Sequence, residues 1–387
     1  MSSRTIPDRR RARGADRALR GWRVLPIETP DSLDAPEAWP IHGSAAVRRA
    51  AELDRQGHDD LASRAPAILA TLQMQTYRRN VEIVLVPDDV ATPTADDVVG
   101  YGYASMPLTS NPHLAVVYIE VHPDHRGRGA GTALLAEVER IAADGGRTVL
   151  ISWTEQIGEP ELGSPDALVP PTGNGRVRAS EPCHRMALNR GYVLEQAERY
   201  SVLKLPVDPE LLASLHDDAA ARAGSDYRLH TWAGSTPPDR IDQVAVLHTR
   251  MSTDAPSAGL ALDEDPWDAD RVRTADERLV RSGMGSLTTA VEHVPSGELA
   301  GYTRLEFPLD RPEAAFQEDT LVLAAHRGHR LGMLMKAHQL RALPQERPDV
   351  RRIHTWNAEE NSYMLAINVA LGFRPTGVAG SWQKRLG

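Results

Sequence analysis

Two short runs of this chain carry residues suited to holding a phosphate group. His125-Arg126-Gly127-Arg128-Gly129-Ala130-Gly131 follows the apolar run Leu114 to Val121, and His326-Arg327-Gly328-His329-Arg330-Leu331-Gly332 follows Thr320 to Leu323. In each, His-Arg-Gly closes a strand-like segment and opens a helix-like one. A glycine-rich turn at that point exposes backbone N–H groups at the positive end of a helix, which suits a pyrophosphate. Arginine beside it adds a guanidinium that pairs well with phosphate oxygens. Two such turns predict two copies of one nucleotide-cofactor fold.

The elements that must position these turns repeat in order. In the first half, strands are expected at Trp22–Ile27, Val81–Val86, Val98–Met106 and Ala115–Val121, with helices around Ala45–Arg55 and Asp60–Met74. The last of these strands runs into a helix over Gly129–Ala143, with Leu134, Leu135, Val138 and Ile141 at helical spacing, closed by Gly145-Gly146. A strand at Thr148–Trp153 follows. The second half gives strand Tyr227–Trp232, helices Asp239–Met251 and Asp268–Ser282, and strands Ser286–His293, Leu299–Phe307 and Asp319–Leu323. A helix over Leu331–Ala342 should stop before Pro344, since the residue before proline disfavours helix. Strand Arg352–Trp356, helix Glu359–Leu371 and strand Phe373–Arg385 complete the copy.

Arg126 and Arg327 are 201 residues apart, whereas Gly191 and Gly372 are 181 apart, so the first copy carries 20 extra residues. They fall in the proline- and glycine-rich stretch Gln156–Arg178, which reads as a surface loop and, at the end of a central strand, as either a substrate lid or a neutral insertion. The expected organisation is a tail over 1–20, a first domain over 21–206, a linker over 207–225 and a second domain over 226–387.

The 387 residues, 41% hydrophobic and 25% charged, are ordinary for a globular protein. The net charge of −9 argues against nucleic-acid binding. The single cysteine, Cys183, permits no intrachain disulfide and points to a reducing, cytoplasmic setting. No apolar stretch approaches a membrane span, and no signal peptide is evident after Arg9-Arg10-Arg11. No metal site is expected. Cys183-His184 suggests a nucleophile pair, but adjacent helical residues point in different directions.

Neither turn is a Walker loop or a dinucleotide fingerprint. Both resemble the acetyl-CoA loop of the GCN5-related N-acetyltransferase (GNAT) superfamily, Arg/Gln-x-x-Gly-x-Gly/Ala after a strand. Arg126 to Gly131 matches fully; in the second copy Arg330 replaces the middle glycine while Arg327 and Gly332 match. Thr355-Trp356-Asn357 followed by Asn361, Asn368 and Leu371-Gly372-Phe373 resembles the family's fifth strand and following helix. The resemblance spans nearly the whole chain. It implies an α/β (α+β) protein of two tandem GNAT folds, each a mixed, mostly antiparallel sheet splayed between strands four and five and flanked by helices. Mycothiol synthase has this two-copy plan, but no motif ties this chain to its substrate.

The resemblance implies that acetyl-CoA (CoA) binds to Val121, Arg126, Gly127, Arg128, Gly129, Ala130 and Gly131 in the first copy. In the second it implies Leu321, Val322, Leu323, Arg327, Gly328, His329, Arg330, Leu331, Gly332, Asn357, Asn361 and Asn368. A bulge in strand four would splay it from strand five, and the pantetheine would lie in the gap. An amine attacks the thioester directly, so a carboxylate or histidine must take its proton. Glu318 is the favoured base and Asp319 the second. Adjacent strand residues face opposite sides, so only one of them should point inward. Tyr118 and Glu120 are the comparable first-copy residues. The place of the family's acid tyrosine falls on Asn368 and Ala187, leaving Tyr363 or solvent as proton donor.

The function implied is an N-acetyltransferase acting on the primary amine of a small molecule, as monomer or homodimer, with neither nucleic acid nor membrane as partner. Glu318 and the asparagine series favour a catalytic second copy. The alternatives are an acyl-CoA sensor or scaffold without turnover, and a protein-lysine acetyltransferase.

Overall fold

The structure, a computed structural model, describes residues 21–386. The expected tail over 1–20 lies outside the described residues. The chain divides into two compact units. Of the described residues, one comprises 21–108, Pro112–Ser152 and 385–386; the other comprises Thr109–Asn111 and Trp153–Lys384.

The first unit runs β1 (Trp22–Pro26), α1 (Trp39–Gln56), α2 (Ala65–Gln73), β2 (Arg78–Pro87), β3 (Gly100–Pro107), β4 (Leu114–Val121), α3 (Ala130–Asp144) and the start of β5 (Val149–Ile157). Strands β1 to β4 form an antiparallel meander. Strand β5 lies parallel to β4 but pairs only at Leu114–Val116, and the two then separate. Alternation along β2 and β3 buries Val84, Val86 and Tyr101 against Ile41 and Val47 of α1 and Ile68 and Leu72 of α2. Helix α3 buries Ala130, Ala133, Leu134, Leu135, Val138 and Ala142, the 3–4 spacing of a helix lying on a sheet.

The second unit contains β6 (Ala167–Leu168), β7 (Val177–Arg178), α4 (Pro182–Asn189), β8 (Val193–Lys204), α5 (Pro209–Ala223), β9 (Tyr227–Ala233), α6 (Ile241–Asp254), α7 (Ala269–Arg281), β10 (Met284–His293), β11 (Glu298–Pro308), β12 (Ala314–Val322), α8 (Leu331–Glu346), β13 (Arg352–Ala358), α9 (Ser362–Leu371) and β14 (Arg374–Arg385). Its sheet order is β14-β8-β13-β12-β11-β10-β9. Strands β12 and β13 are parallel and pair only at Ala314–Phe316 before separating. The mixed, mostly antiparallel sheets splayed between strands four and five are those the resemblance implied.

Three boundaries differ from the sequence expectation. Strand β8, assigned to the first domain, pairs along Glu198–Lys204 with β13 and along Val193–Val202 with β14. Its hydrogen bonds put it inside the second unit, so the chain does not divide near residue 206. The expected linker over 207–225 is mostly helix α5, whose Leu212, Ala219 and Ala223 enter the same core as Leu334 and Leu343 of α8. Helix α8 also runs through Pro344 to Glu346, because a proline in a final turn forfeits one hydrogen bond without ending the packing that holds the helix.

The Gln156–Arg178 stretch is tied down. Gln156 Nε2 donates to the Gly158 carbonyl, the Arg178 N–H donates to Gln156 Oε1, both at 2.7 Å, and Arg176 pairs with Glu159 at 2.9 Å. Gly175 adopts φ +70°, and a Cβ there would lie 2.7 Å from Ala197 Cβ and from Glu359 Cγ. Only glycine fits this close approach.

Candidate functional site

The two phosphate turns share one backbone shape. Gly127 and Gly129 have φ of +76° and +87°; Gly328 and Arg330 have +87° and +56°. Arg330 thus takes the left-handed conformation of the glycine it replaces, at a cost on the order of 1 kcal/mol. Gly129 and Arg330 are the N-caps of α3 and α8, and neither helix start has a side-chain cap. The first N–H groups of each helix therefore lack intrahelical partners. Space is open around Gly127, Gly129 and Gly328. Arg128 and His329 lie in the turns, Ala130 and Gly131 open α3, and Leu331 opens α8. Gly332 has another use: a Cβ there would meet Ile367 of α9 at 3.1 Å.

The matching arginines brace the turns. Arg126 Nε donates to the Val121 carbonyl at 3.1 Å and Arg327 Nε to Val322 at 3.2 Å. Their outer nitrogens pair with Asp54 at 2.6 Å and Asp254 at 2.7 Å. These guanidinium groups hold the end of strand four to the helix before it, a role the glycine-loop pattern does not reveal. Leu323 continues the strand, its N–H donating to the Ala300 carbonyl at 2.9 Å.

Strand four is where the units part. In β4 the pairing with β3 is unbroken from Val116 to Val121. In β12 Thr320 faces Thr303 and Gln317 faces Leu305, so Glu318 and Asp319 together oppose Arg304. Two residues against one is a β-bulge, which bends the strand and re-aims side chains. Its result corrects the expectation that only one carboxylate faces inward: both Glu318 and Asp319 line a cavity of about 170 Å³, with Gln317, Thr320, Lys336, Trp356, Asn357 and Asn361.

Glu318 is exposed where it opens onto this cavity, and its carboxyl sits among Glu306, Asp319 and Arg304. Loss of solvent, reinforced by Glu306 and Asp319 and opposed by Arg304, pushes its carboxyl up to about 8. Asp319 accepts from the Tyr302 hydroxyl at 2.9 Å. That hydroxyl has one proton, so His248 Nδ1 at 3.3 Å donates to the tyrosine oxygen. His248 stacks on Trp267 at 4.6 Å and is held below its ordinary pKa, chiefly by burial.

A second chain fixes the asparagines. Lys336 Nζ donates to Asn368 Oδ1 at 2.6 Å, and Asn368 Nδ2 donates to Asn357 Oδ1 at 2.6 Å. An ammonium can only donate, which orients both amides and leaves Asn357 Nδ2 as a donor for a ligand. Trp356 Nε1 is buried without an acceptor among the described residues. Two donors without protein acceptors, in the gap between splayed strands, fit the amide carbonyls of a pantetheine arm, and the turn of α8 fits its pyrophosphate. Asn361, not Asn357, caps α9, accepting from the Met364 N–H at 3.3 Å.

Tyr363 lies elsewhere: it is 87% exposed and does not line the cavity. Lys336 was missed from sequence. It is 1% exposed on a helix buried nearly all round, and burial drops its pKa to about 7. The available signal was compositional, since Lys204, Lys336 and Lys384 are the only lysines among 44 basic residues. His184 is buried beside Trp382 while Cys183 is exposed, so they form no nucleophile pair.

In the first unit Glu120 is held by Arg55 at 2.6 Å and Arg126 at 3.4 Å. Tyr118 donates to Glu120 at 3.2 Å and stacks on Tyr103. Glu82 accepts from Ser44 and Arg48, and Arg48 lies 3.7 Å over the Tyr101 ring. Each of these carboxylates has an arginine partner.

Among the described residues no helix is long and apolar enough to cross a membrane, and no cluster of three or more His, Cys, Asp or Glu is placed to hold a metal ion. Residues 53–159 match the Acetyltransferase (GNAT) family. A search of curated proteins gives no match. Among solved structures the chain is similar to a tandem GNAT protein from the clavulanic acid biosynthesis pathway, with 23% identity, TM-score 0.69, and 95% of this chain and 99% of that chain covered. A GCN5-related N-acetyltransferase from Sphaerobacter thermophilus gives 16% identity, TM-score 0.53 and coverage of 95% and 96%. Saccharomyces cerevisiae N-myristoyltransferase, with myristoyl-CoA bound, gives 10%, 0.54, and coverage of 100% and 82%. These likenesses are of fold. The family match takes in residues 53–159, the first turn among them, and the turn and splay recur in the second unit beside an asparagine segment of its own, so the chain has the fold of tandem GNAT proteins.

Proposed function

We propose that the second unit carries the transfer, from acetyl-CoA to the primary amine of a small molecule, with Glu318 removing the amine's proton. The observation that carries this reading is the β12 bulge, which turns Glu318 and Asp319 into the cavity that Asn357 also lines. Acetyl-CoA supplies the thioester that the amine attacks. Asn357, the α8 turn and the Val322–Leu323 end of β12 hold the donor beside the bulge. Asp319, fixed by Tyr302, presents its carboxyl beside Glu318 to the incoming amine. Arg304 pairs with Asp276 and Glu306, so the carboxylates around it outnumber the cation and favour a cationic acceptor. A cavity of about 170 Å³ suits an aminoalkyl arm. The first unit is read as the cofactor-holding or structural copy.

An ammonium does not attack a carbonyl, so the base must be ionised. Glu318 is protonated below its raised pKa of about 8, and turnover should therefore rise with pH from the acid side. The test is release of free thiol from acetyl-CoA across a panel of small amines, polyamines and lysine peptides. Turnover on small amines, lost in Glu318→Gln, is the expected result. Undiminished turnover in Glu318→Gln, or turnover on lysine peptides alone, sinks the reading.

A further inference from the structure

Aminolysis of a thioester needs two proton positions: one takes a proton from the amine, the other gives one to the departing thiolate. Among the described residues lining the cavity only Glu318, Asp319 and Lys336 titrate. Glu318 is assigned above as the acceptor. Asp319 is held as an acceptor by Tyr302. Tyr302 does not line the cavity, and its hydroxyl is already given to Asp319. Tyr363 points to solvent.

We propose that Lys336 is the proton donor to the leaving thiolate. Its Nζ donates to Asn368 Oδ1, and it forms no ion pair among the described residues. An ammonium has three protons, so two remain for the cavity. The Phe373 ring, 5.6 Å away, supplies only a weak π-face for the charge. A buried cation without a carboxylate partner gives up a proton readily, and its pKa of about 7 lies close to that of a useful general acid. The step balances within the site. The amine nitrogen bonds to the acyl carbon and loses a proton to Glu318; the carbon–sulfur bond breaks, and the sulfur takes a proton from Lys336. The two residues return to their starting states by exchange with solvent. The inference rests on the reading that the second unit carries the chemistry.

The chain has three lysines, so ¹³Cε-lysine labelling gives three signals in the protein without ligand. The signal absent from Lys336→Met should titrate near 7. This readout does not depend on activity or on which unit is catalytic. A Lys336 midpoint near the ordinary lysine value of about 10.4 overturns the proposal.

In turnover, wild type should follow a bell that falls on the alkaline side as Lys336 loses its proton. Lys336→Gln keeps an N–H for Asn368 but carries no acid. It should lose about 100-fold in kcat, lose the alkaline limb, and keep its KM for acetyl-CoA within about threefold. A change in KM alone reduces Lys336 to orienting Asn357. A 42 Da gain on Lys336 during turnover also overturns the proposal, since an amide cannot donate that proton. Should Glu318→Gln stay active while Lys336→Gln fails, the base assignment falls and the acid stands; the reverse pattern removes only the acid.

Discussion

Strands β4 and β12 begin alike and end differently. Each pairs with its parallel neighbour for three residues and then splays, and each leads into a left-handed turn at a helix start. The bulge is confined to β12. In the unbulged strand Glu120 lies between two arginines and beside a stacked tyrosine. In the bulged strand Glu318 faces a cavity and keeps its proton near neutral pH. One turn type and one splay thus give two electrostatic outcomes. A glycine turn records where a phosphate can bind, whereas an extra strand residue decides where a proton can move.

The largest effect should separate the two carboxylates. Glu318→Gln should lower kcat by about 10²–10⁴, while Glu120→Gln should leave kcat within a small factor and lower the melting temperature, since Arg55 and Arg126 lose a charged partner. Equal kinetic losses in both variants would erase the contrast. Next, Asn357→Ala removes one donor from the gap and should raise KM for acetyl-CoA about tenfold at nearly constant kcat, as read by initial rates. An unchanged KM would move the donor's arm away from β13.

A smaller effect joins the two turns. His125 and His326 are both held below their ordinary pKa, first by burial and then by neighbouring histidines. A bound phosphate favours their charged form, so binding takes up protons and affinity should rise severalfold as pH falls below the ordinary histidine range. Calorimetry in buffers of different ionisation enthalpy reads that uptake, and proton release on binding would contradict it. Smallest of all, Arg330→Gly should raise stability by about 0.5–1 kcal/mol by relieving the left-handed arginine, and Gly129→Ala should lower it by a similar amount. Thermal melts with both shifts in one direction would show that the turns are not backbone equivalents.

What the sequence made legible was local. The turns and the helices behind them follow from patterns within about twenty residues, whereas the splay and Asn357 were implied by the family resemblance. Glu318 and Asp319 were found as residue types near strand four, but not as a pair on one cavity. A bulge is a property of register with a partner strand, here β11, and no local period encodes it. Lys336 stayed hidden because a helix buried on every side has no polar face on which a buried cation stands out. Strand β8 fell inside the 21–206 stretch expected to be the first domain, because a segment's own sequence does not say which sheet edge it joins.

That placement of β8 bears on how the duplication can be taken apart. Its edge covers β13, the strand that presents Trp356 and Asn357. A chain beginning at residue 207 would keep every residue of the second repeat and yet expose the unpaired backbone of its cofactor strand, a template for misassembly. Inherited repeat and autonomous folding module are therefore offset by one strand. A strand from the first repeat thus completes the sheet of the second, and among the described residues none of its side chains lines the cavity.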